Sequence, residues 1–453
     1  MRTLIIGAGE TGYHIAQELS SEKMEVTLID ENPTHLLAAQ KELNVACVRG
    51  NGTSLSVLEQ AGIEKSDLLI AATDQDETNL ICCLLANHYG VETKIAITKT
   101  GSFFKPTLIS KYLESGISQI INSSMVAAQE ILDTAGFASA AEVSAFGEKN
   151  VLLIGYKVKP DSPLEGKELI GLRSEALDQF LIGSIVREGE SFIPSGKDRI
   201  LAGDYVYILV PREKQEMLNQ FLKVQVNRSR RAVVAGSGQT ALRVAEGLIK
   251  SHYEVTLIIG EQEHPDIKRK ILNNKNFHMI RGDAESVRLQ LQLDVPVAAL
   301  FIAATKDDFV NIAASVVARY LGAQKTIALV NKEELAEAAR SAEIDGVISP
   351  RLSTARRVRQ VIYSAEGDLN FTTISETNME VHEMVAGEDA PILGLPLKKF
   401  RLPQNSLVGA IVKGGNQAII PNGETAIEAG NQVIMLTLPE GVPRLRELIE
   451  GKK

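Results

Sequence analysis

The sequence predicts an α/β protein with two doubly wound, Rossmann-like parallel sheets, each followed by a small β-rich α+β subdomain. Two observations lead to this prediction. Over about the first 130 residues, short apolar runs alternate with helical patterns, and strand–helix alternation produces parallel strands joined by right-handed crossovers. The chain then repeats itself: LIIGAGETG, which begins at Leu4, returns as VVAGSGQTA, which begins at Val233.

The repeat continues through both halves of the chain. Matching pairs are Gly7 with Gly236, Asn79 with Asn311 and Pro194 with Pro421, at offsets of 229, 232 and 227 residues. The segments around the two prolines are rich in β-branched residues and turn signals, which is typical of small β-rich units. The order A–B–A′–B′ therefore predicts sheet domains at 1–136 and 227–365, with β-rich subdomains at 137–226 and 366–453. We interpret the polar, basic stretch 224–231 as a solvated linker.

The elements of the first sheet domain follow from hydrophobic periodicity. We predict strands at 3–6, 25–29, 45–48, 68–72, 94–97 and 119–121. A helix over 11–20 places Ile15, Ala16 and Leu19 on one face. Helices over 123–135 and 351–364 follow the sixth strand of each domain. The second of these carries Arg351, Arg356, Arg357 and Arg359. These arginines could meet an acidic partner or a phosphate, but we favour a solvated helix face.

A glycine-rich turn joins the first strand to the first helix. It consists of Gly7, Ala8, Gly9, Glu10, Thr11 and Gly12. The first glycine permits a tight turn, the second lets a pyrophosphate approach, and the third lets the helix pack on the strand. The helix N-terminus then offers free N–H groups to a phosphate. The sequence therefore predicts a nucleotide cradle.

Asp30 ends the second strand, 18 residues after Gly12. An acid at this place accepts hydrogen bonds from ribose hydroxyls and repels a 2′-phosphate, which favours NAD(H) over NADP(H). Thr73 and Asp74 end the fourth strand, where the strand order reverses and ligands bind. For Asp76 and Glu77 we favour helix capping and complementarity to the helix dipole. The turn 50–53 could edge an adenine or serve only as a turn.

The second cradle departs from the first. It consists of Gly236, Ser237, Gly238, Gln239, Thr240 and Ala241, and Ile259 stands where Asp30 stood. Three alternatives remain open: Glu261 reaches the ribose from a shifted loop, the cradle has weaker or different ligand preferences, or it is retained for packing alone. At the switch point this copy has Thr305 and Lys306, and a lysine there suits a phosphate.

Composition excludes several classes of protein. The net charge of −9 disfavours nucleic acid as a partner. No apolar run approaches the ~18 residues of a membrane helix. Three cysteines, Cys47, Cys82 and Cys83, fit a reducing cytoplasm, with the adjacent pair in an apolar helix. We find no metal-binding motif.

The chain lacks the equipment of a dehydrogenase. Such an enzyme needs a substrate domain that closes over the nicotinamide and an acid–base group beside it. The β-rich units have only about 75 residues each, and His35 and His264 fall on the adenosine side. Two cradles without catalytic apparatus predict a sensor. The alternatives are an NAD-dependent oxidoreductase and a binding module whose ligand sits in the β-rich units.

The first cradle, Asp30, the segment ATDQDETN and the β-rich unit together resemble the RCK (also called KTN) domain family. These are cytosolic nucleotide-sensing modules of potassium channels and transporters. Two complete modules in one chain resemble the regulatory subunits of Trk-type potassium uptake systems. The resemblance implies RCK-N and RCK-C subdomains and a ring, expected to be a tetramer, on the cytoplasmic face of the cell membrane. NAD(H) or ATP/ADP would gate a membrane potassium-translocating subunit. A sensor for a different ion transporter is the alternative within the family.

The resemblance also implies the site residues. In the first module these are Gly7, Ala8, Gly9, Glu10, Thr11, Gly12, Asp30, Thr73 and Asp74, with Thr98 at the end of the fifth strand. In the second they are Gly236, Ser237, Gly238, Gln239, Thr240, Ile259, Thr305 and Lys306, with Asn331 ending the equivalent strand.

Overall fold

The computed structural model describes residues 1–100, 106–137, 140–175, 179–224, 229–366, 369–374, 377–414 and 417–451. The chain divides into two compact units, each built from both halves of the sequence. Met1–Leu132 and Ser229–Val361 form the first unit, and Asp133–Arg228 and Ile362–Lys453 form the second. Both parallel sheets therefore belong to the first unit, and both β-rich sheets belong to the second. Residues 225–228 of the predicted linker lie outside the described residues.

The first Rossmann domain is a six-stranded parallel sheet in the order β3-β2-β1-β4-β5-β6. Its strands are β1 (Arg2–Ile6), β2 (Glu25–Asp30), β3 (Ala46–Arg49), β4 (Leu68–Ala71), β5 (Thr93–Thr98) and β6 (Gln119–Asn122). Its helices are α1 (Glu10–Ser21), α2 (Pro33–Glu42), α3 (Leu55–Gln60), α4 (Asp76–His88), α5 (Pro106–Glu114) and α6 (Ser123–Ala135). Each strand lies within one residue of its predicted bounds. The order reverses between β1 and β4, which places the ends of these strands at the ligand-binding edge.

The first β-rich subdomain is an antiparallel sheet in the order β10-β9-β11-β8-β7. Its elements are β7 (Glu142–Phe146), β8 (Val151–Lys157), α7 (Leu169–Glu175), β9 (Leu181–Arg187), β10 (Glu190–Phe192), β11 (Tyr205–Pro211) and α8 (Gln215–Phe221). Its central strand, β11, pairs antiparallel with β8 on one side and with β9 on the other.

The second Rossmann domain repeats the first, in the order β14-β13-β12-β15-β16-β17. Its strands are β12 (Arg231–Ala235), β13 (Glu254–Ile259), β14 (Phe277–Arg281), β15 (Leu300–Ala303), β16 (Thr326–Leu329) and β17 (Gly346–Ile348). Its helices are α9 (Gln239–Lys250), α10 (Arg269–Leu272), α11 (Val287–Gln292), α12 (Asp308–Leu321), α13 (Glu333–Ser341) and α14 (Pro350–Glu366).

The second β-rich subdomain has the order β18-β19-β22-β20-β21. Its elements are β18 (Asn370–Thr373), β19 (Glu380–Val385), β20 (Leu407–Lys413), β21 (Gln417–Ile419), β22 (Gln432–Thr437) and α15 (Val442–Glu450). The fold class predicted from the sequence, with two doubly wound sheets and two small β-rich units, is confirmed.

The core of each Rossmann domain lies between its sheet and its helices. In the first domain, β1 and β4 pack against α4 through a cluster that includes Leu4, Leu69 and Leu80. Cys82 and Cys83 are fully buried in the same cluster. Burial raises the pKa of the Cys82 thiol to about 12, so this cysteine stays a neutral apolar side chain, as its place in an apolar helix predicted.

The two β-rich sheets share one core in the second unit. Side chains from both, such as Tyr207 and Ile434, belong to a single buried cluster. Gly409 permits the close approach, because a Cβ there would lie 2.4 Å from Cδ1 of Leu209. Neither sheet could bury this face alone, which explains why the two subdomains associate.

Helix α14 corrects one prediction from the sequence. The solvated face expected for its arginines is wrong for three of the four. Arg351 pairs with Glu10, Arg356 with Glu130 and Arg359 with Glu18 and Glu22, all in the first Rossmann domain. Arg357 is the exposed one. The acidic partners come from the duplicate domain, which periodicity within one helix could not reveal.

No helix among the described residues combines the length and the apolar character that crossing a membrane requires.

Candidate functional site

The glycine-rich turn after β1 has the geometry that its sequence predicts. Gly7 has a φ of +98°, and a Cβ there would lie 2.8 Å from the carbonyl oxygen of Ala72. A Cβ at Gly12 would lie 1.8 Å from the carbonyl oxygen of Gly7, so the helix packs directly on the turn. A Cβ at Gly9 would meet nothing within 4 Å. Gly7 and Gly12 are therefore required by the fold, whereas Gly9 faces open space.

Asp30 holds the turn and the next loop together. Its Oδ2 accepts a hydrogen bond from the Ala8 N–H at 2.6 Å, and its Oδ1 accepts one from the Asn32 N–H at 2.7 Å. The His35 Nδ1 lies 3.5 Å from Oδ2. The carboxylate is 13% exposed, and Oδ1 keeps a lone pair for a further donor. This is the place where a ribose would present its hydroxyls.

The switch-point loop is fixed by a buried side chain, Asn79 of α4, which is fully buried. Its Oδ1 accepts hydrogen bonds from the Thr73 N–H at 2.9 Å and from the Thr73 hydroxyl at 2.6 Å. Its Nδ2 donates to the carbonyl oxygens of Thr73 and Ile97 at 3.0 and 2.8 Å. Asn79 thereby ties the end of β4 to β5.

Of the two roles predicted for Asp76 and Glu77, the structure agrees with complementarity to the helix dipole and not with capping. The N-cap of α4 is Gln75, and Asp76 lies in the first turn, where its charge complements the helix dipole. Its carboxylate accepts from the N–H groups of Lys99 and Thr100, each at 2.9 Å. It thus anchors the loop after β5. Lys99, bonded to Asp74, holds the pKa of the Asp74 carboxyl below its usual range.

The second cradle keeps the turn and the switch-point bonds. Gly236 has a φ of +130°, and a Cβ there would lie 2.3 Å from the Ala304 carbonyl oxygen. Ala241 is fully buried, so an alanine in place of the third glycine still permits close packing of the helix. Asn311 repeats the role of Asn79, accepting from the Thr305 N–H at 2.8 Å and donating to Leu329 at 2.8 Å.

The end of the second cradle that would face an adenosine, around Ile259, differs from that of the first. Ile259 is fully buried, and Glu263 accepts a hydrogen bond from the Gly260 N–H at 2.9 Å. Arg281 Nη1 donates to the carbonyl oxygens of Gly260, Glu261 and Glu263 at 3.1, 2.6 and 2.9 Å. The loop that would have to shift for Glu261 to reach a ribose is therefore bound by Arg281.

A cavity of about 680 Å³ joins the two cradles, a size within the range of small-molecule pockets. The first domain contributes Gly7, Gly9, Glu10, Thr11, Asp30, Thr73 and Asp74. The second contributes Gly238, Gln239, Thr240, Thr305, Lys306 and Asn331. The adenosine end of the first cradle also opens here, with His35 and the turn 50–52.

Six predicted residues are not among the described residues that line this cavity: Ala8, Gly12, Thr98, Gly236, Ser237 and Ile259. The Ala8 N–H points to Asp30, and Gly12 packs on the turn. Thr98 is fully buried, and its hydroxyl accepts a hydrogen bond from Asn122 at 3.3 Å. The next residue, Lys99, lines the cavity in its place.

Sequence reasoning missed three groups that shape the site. Asn79 was seen only as a match to Asn311, although an amide repeated in both copies was a usable signal. Lys99 gave no signal beyond its place after β5. Arg351 lines the cavity from the second domain, and only the association of the two domains brings it there.

The residues present fit an adenine dinucleotide in the first cradle. Gly9 leaves space for a pyrophosphate at the N-terminus of α1, and Asp30 lies at the ribose position. Among the described residues, no group of His, Cys, Asp and Glu side chains could hold a metal ion.

Known proteins share this organisation. The TrkA-N domain model matches residues 3–123 and 232–350, and the TrkA-C domain model matches residues 153–223 and 381–450. A Trk system potassium uptake protein TrkA homolog 1 from Methanosarcina mazei is 28% identical over 97% of this chain and 97% of its own length. The Trk system potassium uptake protein TrkA of Azorhizobium caulinodans is 27% identical over 99% of this chain and 98% of its own.

Solved structures share the fold. The crystal structure of the GsuK RCK domain has a TM-score of 0.61 at 17% identity, covering 100% of this chain and 95% of that one. The GsuK channel bound to NAD has a TM-score of 0.61 at 19% identity, covering 100% of this chain and 79% of that one. With both domain models matched twice, in alternation, the chain belongs to the family of proteins built from TrkA-N and TrkA-C domains.

Proposed function

We propose that the chain is the nucleotide-sensing regulatory subunit of a Trk-type potassium uptake system. One observation carries the proposal: the Asp30 carboxylate and the open face of Gly9 lie on the same cavity, an arrangement that supports binding of a ribose and a pyrophosphate there. The names of the relatives support the transport system, and the GsuK channel bound to NAD supports the ligand class.

The ligand of the first cradle is NAD(H) in preference to NADP(H). A 2′-phosphate would approach the Asp30 carboxylate, which would repel it. ATP or ADP would occupy the same adenosine and phosphate positions. Among the described residues, the second cradle lines the cavity with its phosphate side, which includes Gln239, Thr240 and Lys306. Without an acid at Ile259, this cradle binds a nucleotide more weakly or with other preferences than the first, or is retained for packing alone.

The chain acts by allosteric coupling and not by catalysis. His35 is the histidine among the described residues that line the cavity, and it pairs with Asp30 at the adenosine end. A ligand shifts a gate only if it binds two states with different affinity, typically by 1–3 kcal/mol per site. The gate belongs to a membrane potassium-translocating subunit. Several copies of the chain form a ring on the cytoplasmic face of the membrane. Within each chain, the domain boundaries are those predicted from the sequence.

Titration of the purified full-length chain with NADH tests the ligand. Wild type should bind NADH, and Asp30→Ala should weaken binding by about tenfold or more, because a charged hydrogen-bond acceptor is lost. Glu263→Ala removes an acid from the loop after β13 in the second Rossmann domain. It is the matched control and should bind NADH like wild type. Failure of wild type to bind NADH, ATP or ADP would refute the proposal. Oxidation of NADH by carbonyl substrates would point to an oxidoreductase instead.

Potassium uptake tests the biological role. A host strain lacking the gene should take up potassium poorly at limiting external concentration, and the wild-type gene should restore uptake. Asp30→Ala should restore uptake weakly or without normal regulation. Normal uptake in the deletion strain would remove the assignment to potassium transport and leave the nucleotide site standing.

A further inference from the structure

Charges around the shared cavity are divided between the two Rossmann domains. Among the described lining residues, the first domain supplies the acids Glu10, Asp30, Glu31 and Asp74. Its one lysine there, Lys99, is paired with Asp74. The second domain supplies Lys306 and Arg351 and, among the described lining residues, no acid. The domain that holds the adenosine end is thus acidic, whereas a pyrophosphate carries negative charge.

Arg351 is placed to balance that charge. It lies in the first turn of α14 with its side chain 17% exposed, and it pairs with Glu10. Glu10 lies in the first turn of α1, where the helix dipole stabilises an anion. A phosphate bound at the N-terminus of α1 would occupy the same region as the Glu10 carboxylate. The phosphate and the carboxylate would then compete for the same guanidinium.

We propose that Arg351, with Lys306 beside the same cavity, binds the phosphates of the nucleotide held by the first cradle. The ligand thereby bridges the two Rossmann domains. Arginine suits this role because its five N–H donors form paired hydrogen bonds to phosphate oxygens. The inference rests on the proposed function and adds to it the residues that recognise the phosphates.

Helix α14, which carries Arg351, makes further contacts with the first domain. The same helix bonds the first domain again at Arg356, whose Nη2 lies 2.7 Å from Glu130, and at Arg359, whose Nη1 lies 2.8 Å from Glu18. A phosphate that draws Arg351 from Glu10 therefore acts on a helix already anchored to the first domain. Ligands with and without phosphate should differ in their effect on the association of the two domains.

Calorimetric titration of the full-length chain with adenosine, ADP and NADH tests the inference. Arg351→Ala should weaken ADP and NADH by about tenfold or more and leave adenosine unchanged. Arg351→Lys should give an intermediate loss, since it keeps the charge but not the paired donors. Glu10→Gln should bind ADP and NADH more tightly than wild type, because it removes the competing carboxylate. Arg357→Ala, on the exposed face of α14, should match wild type for all three.

The outcomes separate the two proposals. If wild type binds none of the three ligands, the proposed function fails and the inference falls with it. If wild type binds them and Arg351→Ala does so equally well, only the inference is overturned. An equal loss for adenosine and ADP would also overturn it, since Arg351 would then act on the fold and not on phosphate. If Arg351→Ala folds poorly, two other variants carry the same test. Glu10→Gln should tighten the binding of ADP and NADH, and Lys306→Ala should weaken it.

Discussion

Arg359 of α14 donates a hydrogen bond to Glu18 of α1 at 2.8 Å, linking residues 341 positions apart. At the offset of 227 residues Arg359 corresponds to Leu132, and at 229 Glu18 corresponds to Gly247. Leu132 and Gly247 also meet, since a Cβ at Gly247 would lie 2.4 Å from Cδ1 of Leu132. At these matching positions the duplicated domains thus meet through a partly buried ion pair in one case and through an apolar contact in the other.

Loss of the Arg359 ion pair should destabilise the first unit. Arg359 is 4% exposed and also pairs with Glu22. Arg359→Leu would leave two partly buried carboxylates without their cation, at a cost of about 3 kcal/mol in the free energy of unfolding. Urea denaturation measures this. Arg357→Ala, on the exposed side of the same helix, should change stability by about 0.5 kcal/mol or less. Equal stability of the two variants would contradict the structural role of the pair.

The two glycines Gly9 and Gly12 should respond differently to alanine. Gly9→Ala has free space and a φ of −65°, so we expect a folded protein with weakened NADH binding. Gly12→Ala would place its Cβ 1.8 Å from the Gly7 carbonyl oxygen, which costs about 1–3 kcal/mol or more. Thermal unfolding and NADH titration measure both effects. Normal NADH affinity in Gly9→Ala would show that no ligand approaches that backbone.

The two buried asparagines allow stability and binding to be separated. Asn79→Ala and Asn311→Ala each remove the same set of bonds around a switch-point threonine. Each should cost roughly 2–3 kcal/mol, because buried backbone groups lose their partners. Only Asn79→Ala should also weaken NADH binding, because its loop belongs to the first cradle. A similar loss of affinity in Asn311→Ala would place the nucleotide in the second cradle as well.

Lys325 should make stability depend on pH. It is 1% exposed, and burial lowers the pKa of its ammonium to about 7, from 10.5. Between these values the unfolded chain binds more protons than the folded one, so the contribution of Lys325 to stability rises with pH. The gain in melting temperature on Lys325→Met should therefore be largest at pH 7 and below and shrink toward pH 10. Lys94→Met, at a second buried lysine near the start of the equivalent strand β5, controls for loss of a long side chain. Parallel pH profiles for wild type and Lys325→Met would contradict the expectation.

Local patterns made much of the site predictable. The turn from Gly7 to Gly12 and the acid at Asp30 lie within one strand–helix–strand unit, where spacing in sequence sets spacing in space. Thr73 and Lys306 were predictable because the ends of neighbouring parallel strands meet at one edge. Thr98 was misplaced by one residue, because a strand alternates its side chains and the next position, Lys99, faces the cavity.

The sequence by itself determined the two Rossmann domains, the two β-rich units, the cradles and the asymmetry between Asp30 and Ile259, because each depends on residues close together in the chain. Only the tertiary structure decided that the two Rossmann domains share one unit and one cavity. It also decided that α14 turns its arginines toward acids of the first domain. Contacts between residues more than 300 positions apart form only when the folded domains associate through their exposed surfaces. The periodicity of one helix shows which of its faces is apolar, but it does not identify the surface that this face will contact.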